Sequence, residues 1–358
     1  MSGADIYLVC VARLPYYEAV KVGDGDSLST GECDLEYLAA TLAVTVTTAA
    51  SLILIWFLDR FEKDPVWLLG LVFLWGAVPA VIISLIVEIV FGLPLPHLVD
   101  AWTADVLMST VVAPVVEEFA KALALLFVFA ALRHHFDDIL DGIIYGALVG
   151  VGFAWVEDIL YLFGAGAEGG VEAMGFVFVL RVFVFGLNHA FFTALTGLGF
   201  GIAKVVRSCW LGGIAVLFFF GAAVGAHFLH NTLVSIGGEG GVVVSFLVHW
   251  GGVLGLLLVV VVVWFTEWHW IKKELRAEVA SGTIGEREYR QVSKWFGRLG
   301  WELKFLFAFD LGGFLRVRRM YNRLVKLAFL KRSYARRPKE STERRIAELR
   351  ERIARDRR

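Results

Sequence analysis

Two glutamates and a lysine lie in the middle of a long apolar stretch of this sequence. Glu117, Glu118 and Lys121 fall within residues 111–132, which otherwise hold only apolar residues and one proline. An ionised side chain at the centre of a bilayer costs roughly 2.5–3.5 kcal/mol on insertion scales. Three of them in one stretch therefore predict a polar site that the protein uses.

Other apolar stretches also carry ionisable or amide side chains. They are Glu157, Asp158, Arg181, His189, His227, His230 and Asn231. Polar groups in hydrocarbon need partners, so several of them in separate stretches predict one shared site inside a membrane protein. Structural hydrogen bonds between helices are the alternative, and these contribute only about 0.6 kcal/mol each on average.

Helix geometry predicts how the first group is arranged. Lys121 follows Glu117 by four residues and Glu118 by three, so its ammonium can neighbour either carboxylate. Adjacent residues on a helix point about 100° apart. We therefore expect Glu117 and Glu118 to have different roles.

Composition places these groups in an integral membrane protein. Of the 358 residues, 58% are hydrophobic and only 19% are charged. A helix needs about 20 apolar residues to cross a bilayer. The sequence predicts an all-α, polytopic membrane bundle of about seven transmembrane helices, at residues 35–58, 66–91, 105–132, 139–163, 173–203, 210–236 and 242–266.

Charge predicts the organisation and orientation of the chain. We expect an acidic extracytoplasmic segment at 1–34, which lacks the apolar stretch of a signal peptide, a membrane domain at 35–266, and a basic cytoplasmic tail at 267–358. The tail holds 25 of the 34 Lys and Arg residues. Because Lys and Arg accumulate on the cytoplasmic side, the protein is predicted to be a multi-pass cell-membrane protein with its N-terminus outside.

The tail mixes aromatic and basic residues, which is typical of amphipathic helices on an anionic inner leaflet. Its last ~20 residues are expected to form a solvated helix with a thin apolar stripe at Ile346, Leu349 and Ile353. Inner-leaflet anchoring explains the basic charge, so no nucleic-acid partner is predicted.

Cys10 and Cys33 of the N-terminal segment would lie outside, as a disulfide or as two free thiols.

Several blocks of the sequence resemble, in order, those of PrsW-type membrane proteases. The blocks are residues 59–65 (DRFEKDP), 113–121 (APVVEEFAK), 141–146 (DGIIYG), 152–157 (GFAWVE), 189–197 (HAFFTALTG) and 227–231 (HFLHN). Glu117-Glu118, Phe185 with His189, and His227 with Asn231 also match the wider superfamily of CAAX-processing and bacteriocin-immunity membrane proteases. The chain departs from the PrsW-type pattern at Glu157-Asp158, where that pattern has Glu-Asn.

The resemblance implies hydrolysis of a peptide bond in a membrane-anchored protein. For PrsW-type proteases it implies cleavage of an anti-sigma factor on the extracytoplasmic side. Amide hydrolysis needs an activated water, a base and an oxyanion stabiliser. We expect Glu117 to be the base, Glu118 its partner and Asn231 the oxyanion donor.

The residues leave the metal question open. His189 and His227 could orient the water directly, as in a glutamate-type protease. They could instead bind Zn²⁺ together with Glu157, as a three-ligand site with an open water position. No His-Glu-x-x-His motif occurs in the chain, so the metal alternative follows mainly from the resemblance.

Two other function classes fit the composition less well. A proton-coupled transporter would also bury Glu, Lys and His, but the sequence has no inverted repeat or paired broken helices. A catalytically silent binding or immunity protein on the same fold is the other alternative. The retention of the whole polar set argues against it.

Overall fold

A computed structural model of the chain describes residues 30–61, 63–294, 300, 304–305, 307–336 and 338–356. Its regular structure is helical, with no strand among these residues, which confirms the all-α prediction. The chain divides into two compact units. One takes the described residues of 1–59 with 64–258, and the other takes those of 60–63 with 259–358.

The helices of the first unit follow one another with short connections. In order they are α1 (Thr30–Leu58), α2 (Val66–Trp75), α3 (Val81–Gly92), α4 (Ala101–Leu107), α5 (Ala113–Ala131), α6 (Ile139–Val177), α7 (Asn188–Val205), α8 (Cys209–Ile236) and α9 (Gly238–Ala280), of which α9 continues into the second unit. Single π-helical turns join α2 to α3, join α4 to α5, and extend α6. Such turns commonly occur at functional sites.

Within the described residues, five helical segments are long and apolar enough to cross a membrane. They are Leu35–Leu58, Val66–His97, Ile139–Val205, Cys209–Ile236 and Gly238–Ala280. This supports a membrane protein, while the predicted number of seven spans is not confirmed. The segment predicted at 105–132 is helical but carries the three charged residues of α5.

The structure breaks the long middle segment in two places. The first is a kink at Gly170, where φ is 64°, inside the connection 164–172 that was predicted between the spans 139–163 and 173–203, although the residues around it are helical. The second, which was not predicted, comes at residues 185–187, between the π turn after α6 and the start of α7. His189 therefore lies in the first turn of a new helix.

Close packing of α6 against α7 fixes where His189 lies relative to α6. A Cβ atom at Gly150 would overlap the carbonyl of His189, and one at Gly146 would overlap that of Thr193. Small residues spaced four apart let two helix backbones approach in this way. Replacing either glycine would push α7, and the residues it carries, away from α6.

The second unit combines the end of α9 with α10 (Glu286–Val292), α11 (Leu311–Arg336) and α12 (Glu340–Asp356). Its core includes the three residues of the predicted apolar stripe of α12, Ile346, Leu349 and Ile353, which are between 3% and 9% exposed. The rest of this last helix is mostly exposed, as predicted, and only the thin stripe is buried. The stripe packs into a core with α9 and α11 residues such as Leu275 and Leu324.

A buried carboxylate joins three helices of this unit. Glu278 of α9 is 1% exposed and contacts Nζ of Lys331 at 2.7 Å and Nη2 of Arg350 at 2.6 Å.

Of the predicted segment 1–34, only the helical backbone of its last five residues is described. Cys10 and the side chain of Cys33 lie outside the described residues.

Candidate functional site

Lys121 lies at the centre of the polar groups and is fully buried. Its Nζ is 3.0 Å from Oε2 of Glu117 and 2.9 Å from Oε1 of Glu118, as the i,i+4 and i,i+3 spacing on α5 predicted. The same nitrogen is 3.0 Å from Nδ1 of His189 and lies over the ring of Phe153, 3.7 Å from its centroid. One ammonium thus contacts two adjacent carboxylates.

The two acids differ in how their oxygens are used. Glu118 is fully buried, and its Oε1 contacts both Lys121 and Nδ1 of His227, at 3.2 Å. Its Oε2 accepts a hydrogen bond from Thr193 Oγ1. Glu117 contacts Lys121 through Oε2, whereas its Oε1 accepts no hydrogen bond from the described part of the chain. The carboxylate of Glu117 therefore keeps an oxygen for another partner, and that of Glu118 does not.

Glu157 and Arg181 hold the His189 ring by its Nε2 atom, on the side away from Lys121. Its Nε2 lies 2.7 Å from Oε2 of Glu157, and that oxygen lies 2.8 Å from Nη2 of Arg181. Arg181 also contacts Asp158 at 3.2 Å and covers the ring of Tyr161. Because Nε2 faces Glu157, the other ring nitrogen of His189 faces the cluster. Arg181 thus pairs with both Glu157 and Asp158.

His227 closes the cluster from α8. Its ring stacks on Phe192, with centroids 4.7 Å apart and planes inclined by 18°, and it is 2% exposed. The centroids of the His227 and His189 rings lie 5.1 Å apart. We call Glu117, Glu118, Lys121, His189 and His227 the central cluster.

Asn231 is placed differently from the other predicted residues. One hydrogen of its amide is donated to the carbonyl of Ser109, at 2.8 Å, in the π turn before α5. None of the contacts described for its side chain involves the central cluster. The structure thus brings together Glu117, Glu118, Glu157, His189 and His227 and ties Asn231 to the neighbouring backbone.

A second polar cluster adjoins the first and was not predicted as a group. His230 contacts Nδ2 of Asn188 at 2.8 Å and Oγ of Ser245 at 2.6 Å. His249 follows Ser245 by one turn of α9, is 3% exposed, and has no hydrogen-bond partner for either ring nitrogen among the described residues. The i,i+4 spacing of Ser245 and His249 in an apolar helix is the sequence signal that could have found it.

Three residues of the central cluster have the donors of a metal site. One carboxylate oxygen of Glu117 and one ring nitrogen each of His189 and His227 lie within 4.8 Å of one another. A carboxylate and two imidazoles are the donors of many catalytic zinc sites, and a carboxylate behind a ligating histidine is common there. These donor atoms fit a zinc site. The carboxylate among them belongs to Glu117, whereas the sequence predicted Glu157. The ammonium of Lys121, 3.0 Å from His189 Nδ1, would compete with a metal ion for the same place.

The chain is similar to known proteins over part of its length. A family model described as PrsW family intramembrane metalloprotease matches residues 64–268. The chain is similar to proteins named Protease PrsW from Geobacillus kaustophilus, 32% identical over 146 residues (41% of this chain and 58% of that protein), and Clostridioides difficile, 35% identical over 105 residues (29% and 42%). That of Oceanobacillus iheyensis is 27% identical over 168 residues (47% and 71%).

The aligned parts cover 58% and 42% of the first two relatives. No solved structure matches the chain.

Proposed function

Because the chain belongs to the PrsW family of intramembrane metalloproteases, we propose that it hydrolyses a peptide bond of a membrane-anchored protein, with Glu117 activating the attacking water. One observation carries the proposal. One oxygen of Glu117 accepts no hydrogen bond from the described residues, and this carboxylate lies beside a buried ammonium and two imidazoles. A base must reach the proton that it removes, and an oxygen already bonded within the protein cannot do so.

Glu118 has a supporting role in this proposal. Its contacts with Lys121, His227 and Thr193 use both oxygens and orient three side chains from three helices. His189 and His227 assist by holding the water and the substrate carbonyl. Asn231 has one amide hydrogen left after its bond to Ser109, and its proposed role at the oxyanion depends on that hydrogen.

The proposed metal site uses the chain's own donors. In this metal-dependent alternative to direct activation of the water by Glu117, the three residues Glu117, His189 and His227 would hold the ion, so that Glu117 would be a ligand and not the base. Glu157 would keep the ring of His189 in place through its contact with Nε2. A bound Zn²⁺ would act as a Lewis acid on the substrate carbonyl. Lys121 lies 3.0 Å from two of these three residues, so its ammonium must withdraw before a second cation is held there.

Further parts of the proposal concern the surroundings of the site. We place the N-terminus outside, residues 35–266 in the membrane, and residues 267–358 in the cytoplasm against anionic lipid, as the Lys and Arg distribution favours. The substrate class is a membrane protein cleaved on its extracytoplasmic side, such as an anti-sigma factor. The family is proposed to belong with the CAAX-processing and bacteriocin-immunity membrane proteases.

The proposal is tested by comparing cells that make the wild-type protein with cells that make Glu117→Gln. Mass spectrometry of membrane-protein N-termini should reveal a new N-terminus that only the wild type generates, together with an uncut precursor in the variant. Identical N-termini in both cells would refute proteolysis. Retained binding of one membrane protein without cleavage would then support a silent binding protein, and Glu117-dependent proton flux in proteoliposomes would support a transporter.

A further inference from the structure

The second unit contains a cavity edged by arginines. Its volume is about 390 Å³, and it lies between α10, α11 and α12. Arg316, Arg319 and Arg323 line it from α11, and Arg287 lines it from α10. The α11 residues are spaced by three and four, which places them on one face of that helix.

Two of these arginines keep their charge free for a ligand. Arg316 makes no hydrogen bond or ion pair with the described residues. Among these residues Arg319 uses only Nε, which donates to the carbonyl of Leu315 at 3.3 Å, so its two terminal nitrogens have no partner in the described part of the chain. The single acid in the lining, Glu288, accepts a hydrogen bond from the backbone N–H of Gly285 at 2.6 Å, within its own helix start.

The lining also has apolar residues. Val317, Met320, Leu324 and Ile353 contribute to it, and Leu324 and Ile353 are almost fully buried in the core of the unit. A pocket that is lined by both guanidinium groups and aliphatic side chains suits a ligand that has an anionic head and an apolar body. A guanidinium pairs with phosphate through two parallel N–H···O bonds, which adds geometric selectivity to the charge.

We propose that this cavity binds the phosphate headgroup of an anionic membrane phospholipid. The unit itself begins with the apolar residues 259–266 of α9, followed by Trp268 and Trp270, a pattern typical of the membrane interface. Its ligand is therefore within reach of the chain's own bilayer. A soluble phosphate compound shares the headgroup chemistry, and the experiment separates the two sources. The proposal does not depend on proteolysis.

Native mass spectrometry of the full-length protein in detergent tests it, with dioctanoyl phosphatidylglycerol and dioctanoyl phosphatidylcholine as probes. Wild-type protein should retain one phosphatidylglycerol with a Kd at least about tenfold lower than for phosphatidylcholine. The double variant Arg316→Gln with Arg319→Gln should lose that preference. Arg345→Gln with Arg352→Gln, which removes the same charge from exposed positions of α12 outside the cavity, should keep it.

Three results would overturn the proposal. Equal affinity for the two lipids would remove the headgroup preference. An equal loss in the cavity and control variants would show that only net charge matters. Displacement of phosphatidylglycerol by ADP or inorganic phosphate at a lower concentration would assign the cavity to a soluble ligand. Circular dichroism and the thermal unfolding midpoint check that each double variant is folded.

Discussion

Nε2 of His189 lies 2.7 Å from Oε2 of Glu157. This contact fixes which ring nitrogen faces the central cluster, because the other nitrogen then points at Lys121. Glu157 is itself held by Arg181, 2.8 Å away. Arg181 and Glu157, which are not members of the central cluster, therefore position His189, which is.

Replacing Glu157 with Gln should lower activity because His189 is then held less firmly in its orientation. An amide in place of the carboxylate weakens the contact with His189, and such supporting partners typically contribute 10–100-fold to activity or metal affinity. We expect kcat to fall by roughly that factor with little change in KM. Asp158→Asn is the matched control, since Asp158 contacts Arg181 but not His189. Equal losses in both variants would contradict a positioning role specific to Glu157.

Removing the ammonium of Lys121 should strengthen metal binding. Lys121→Met takes away a unit positive charge that lies beside Glu117 and His189. The repulsion between two unit charges ~4 Å apart is about 1–4 kcal/mol, which corresponds to roughly tenfold or more in affinity. Isothermal titration of the purified protein with Zn²⁺ measures this directly. Weaker Zn²⁺ binding by the variant would show that the ammonium and the ion do not compete.

The pattern of the sequence predicted the parts of the site that lie on one helix. The contacts of Lys121 with Glu117 and Glu118 follow from their spacing alone, since residues three and four apart on a helix are neighbours. The helical class followed equally directly from the long apolar stretches. Local periodicity is enough for both predictions.

Contacts between helices could not be predicted in the same way. The break at residues 185–187 follows a π-helical turn, and the apolar pattern of this segment gave no signal for either. Glu157 was predicted as the carboxylate of a metal site, whereas the donor atoms that lie within 4.8 Å of one another belong to Glu117, His189 and His227, which three different helices carry. The hydrogen bond from the Asn231 amide to the carbonyl of Ser109, which is far away in the sequence, could not be predicted either.

His249 should be replaceable without loss of stability. A buried polar group without a partner costs about 1–3 kcal/mol, and an apolar side chain of similar size avoids that cost. We therefore expect His249→Leu to raise the free energy of unfolding by about 1 kcal/mol. The change in thermal midpoint measures this. A lower midpoint would show that the imidazole has a stabilising partner, and a raised midpoint with lost activity would give His249 a role in the site.

Acid should destabilise the second unit through Glu278. Burial alone would raise the pKa of this carboxyl, but hydrogen bonds from Arg350 and Lys331 outweigh it and lower the pKa to about 2. A carboxyl whose pKa is lowered by folding stabilises the fold above its unfolded value, and that stability is lost as the pH falls from about 4.5 towards 2. Glu278→Gln should reduce this acid dependence, and it should cost roughly 1–3 kcal/mol near neutral pH.

Limited proteolysis between α9 and α12 at graded pH measures this effect. Glu340→Gln is the control, because Glu340 pairs with Arg344 on an exposed face of α12. Identical pH profiles for wild type and Glu278→Gln would contradict the role of Glu278.

The central claim is that Glu117 activates the water. The decisive measurement is the rate at which the purified Glu117→Gln protein cleaves the membrane protein whose uncut form accumulates in the variant cells. The rate should fall by about 10²–10⁴-fold, the usual range for a positioned base, while the thermal midpoint stays that of the wild type. Glu118→Gln should lower both the rate and the midpoint, since both of its oxygens are bonded. Cleavage by Glu117→Gln at the wild-type rate would contradict the account.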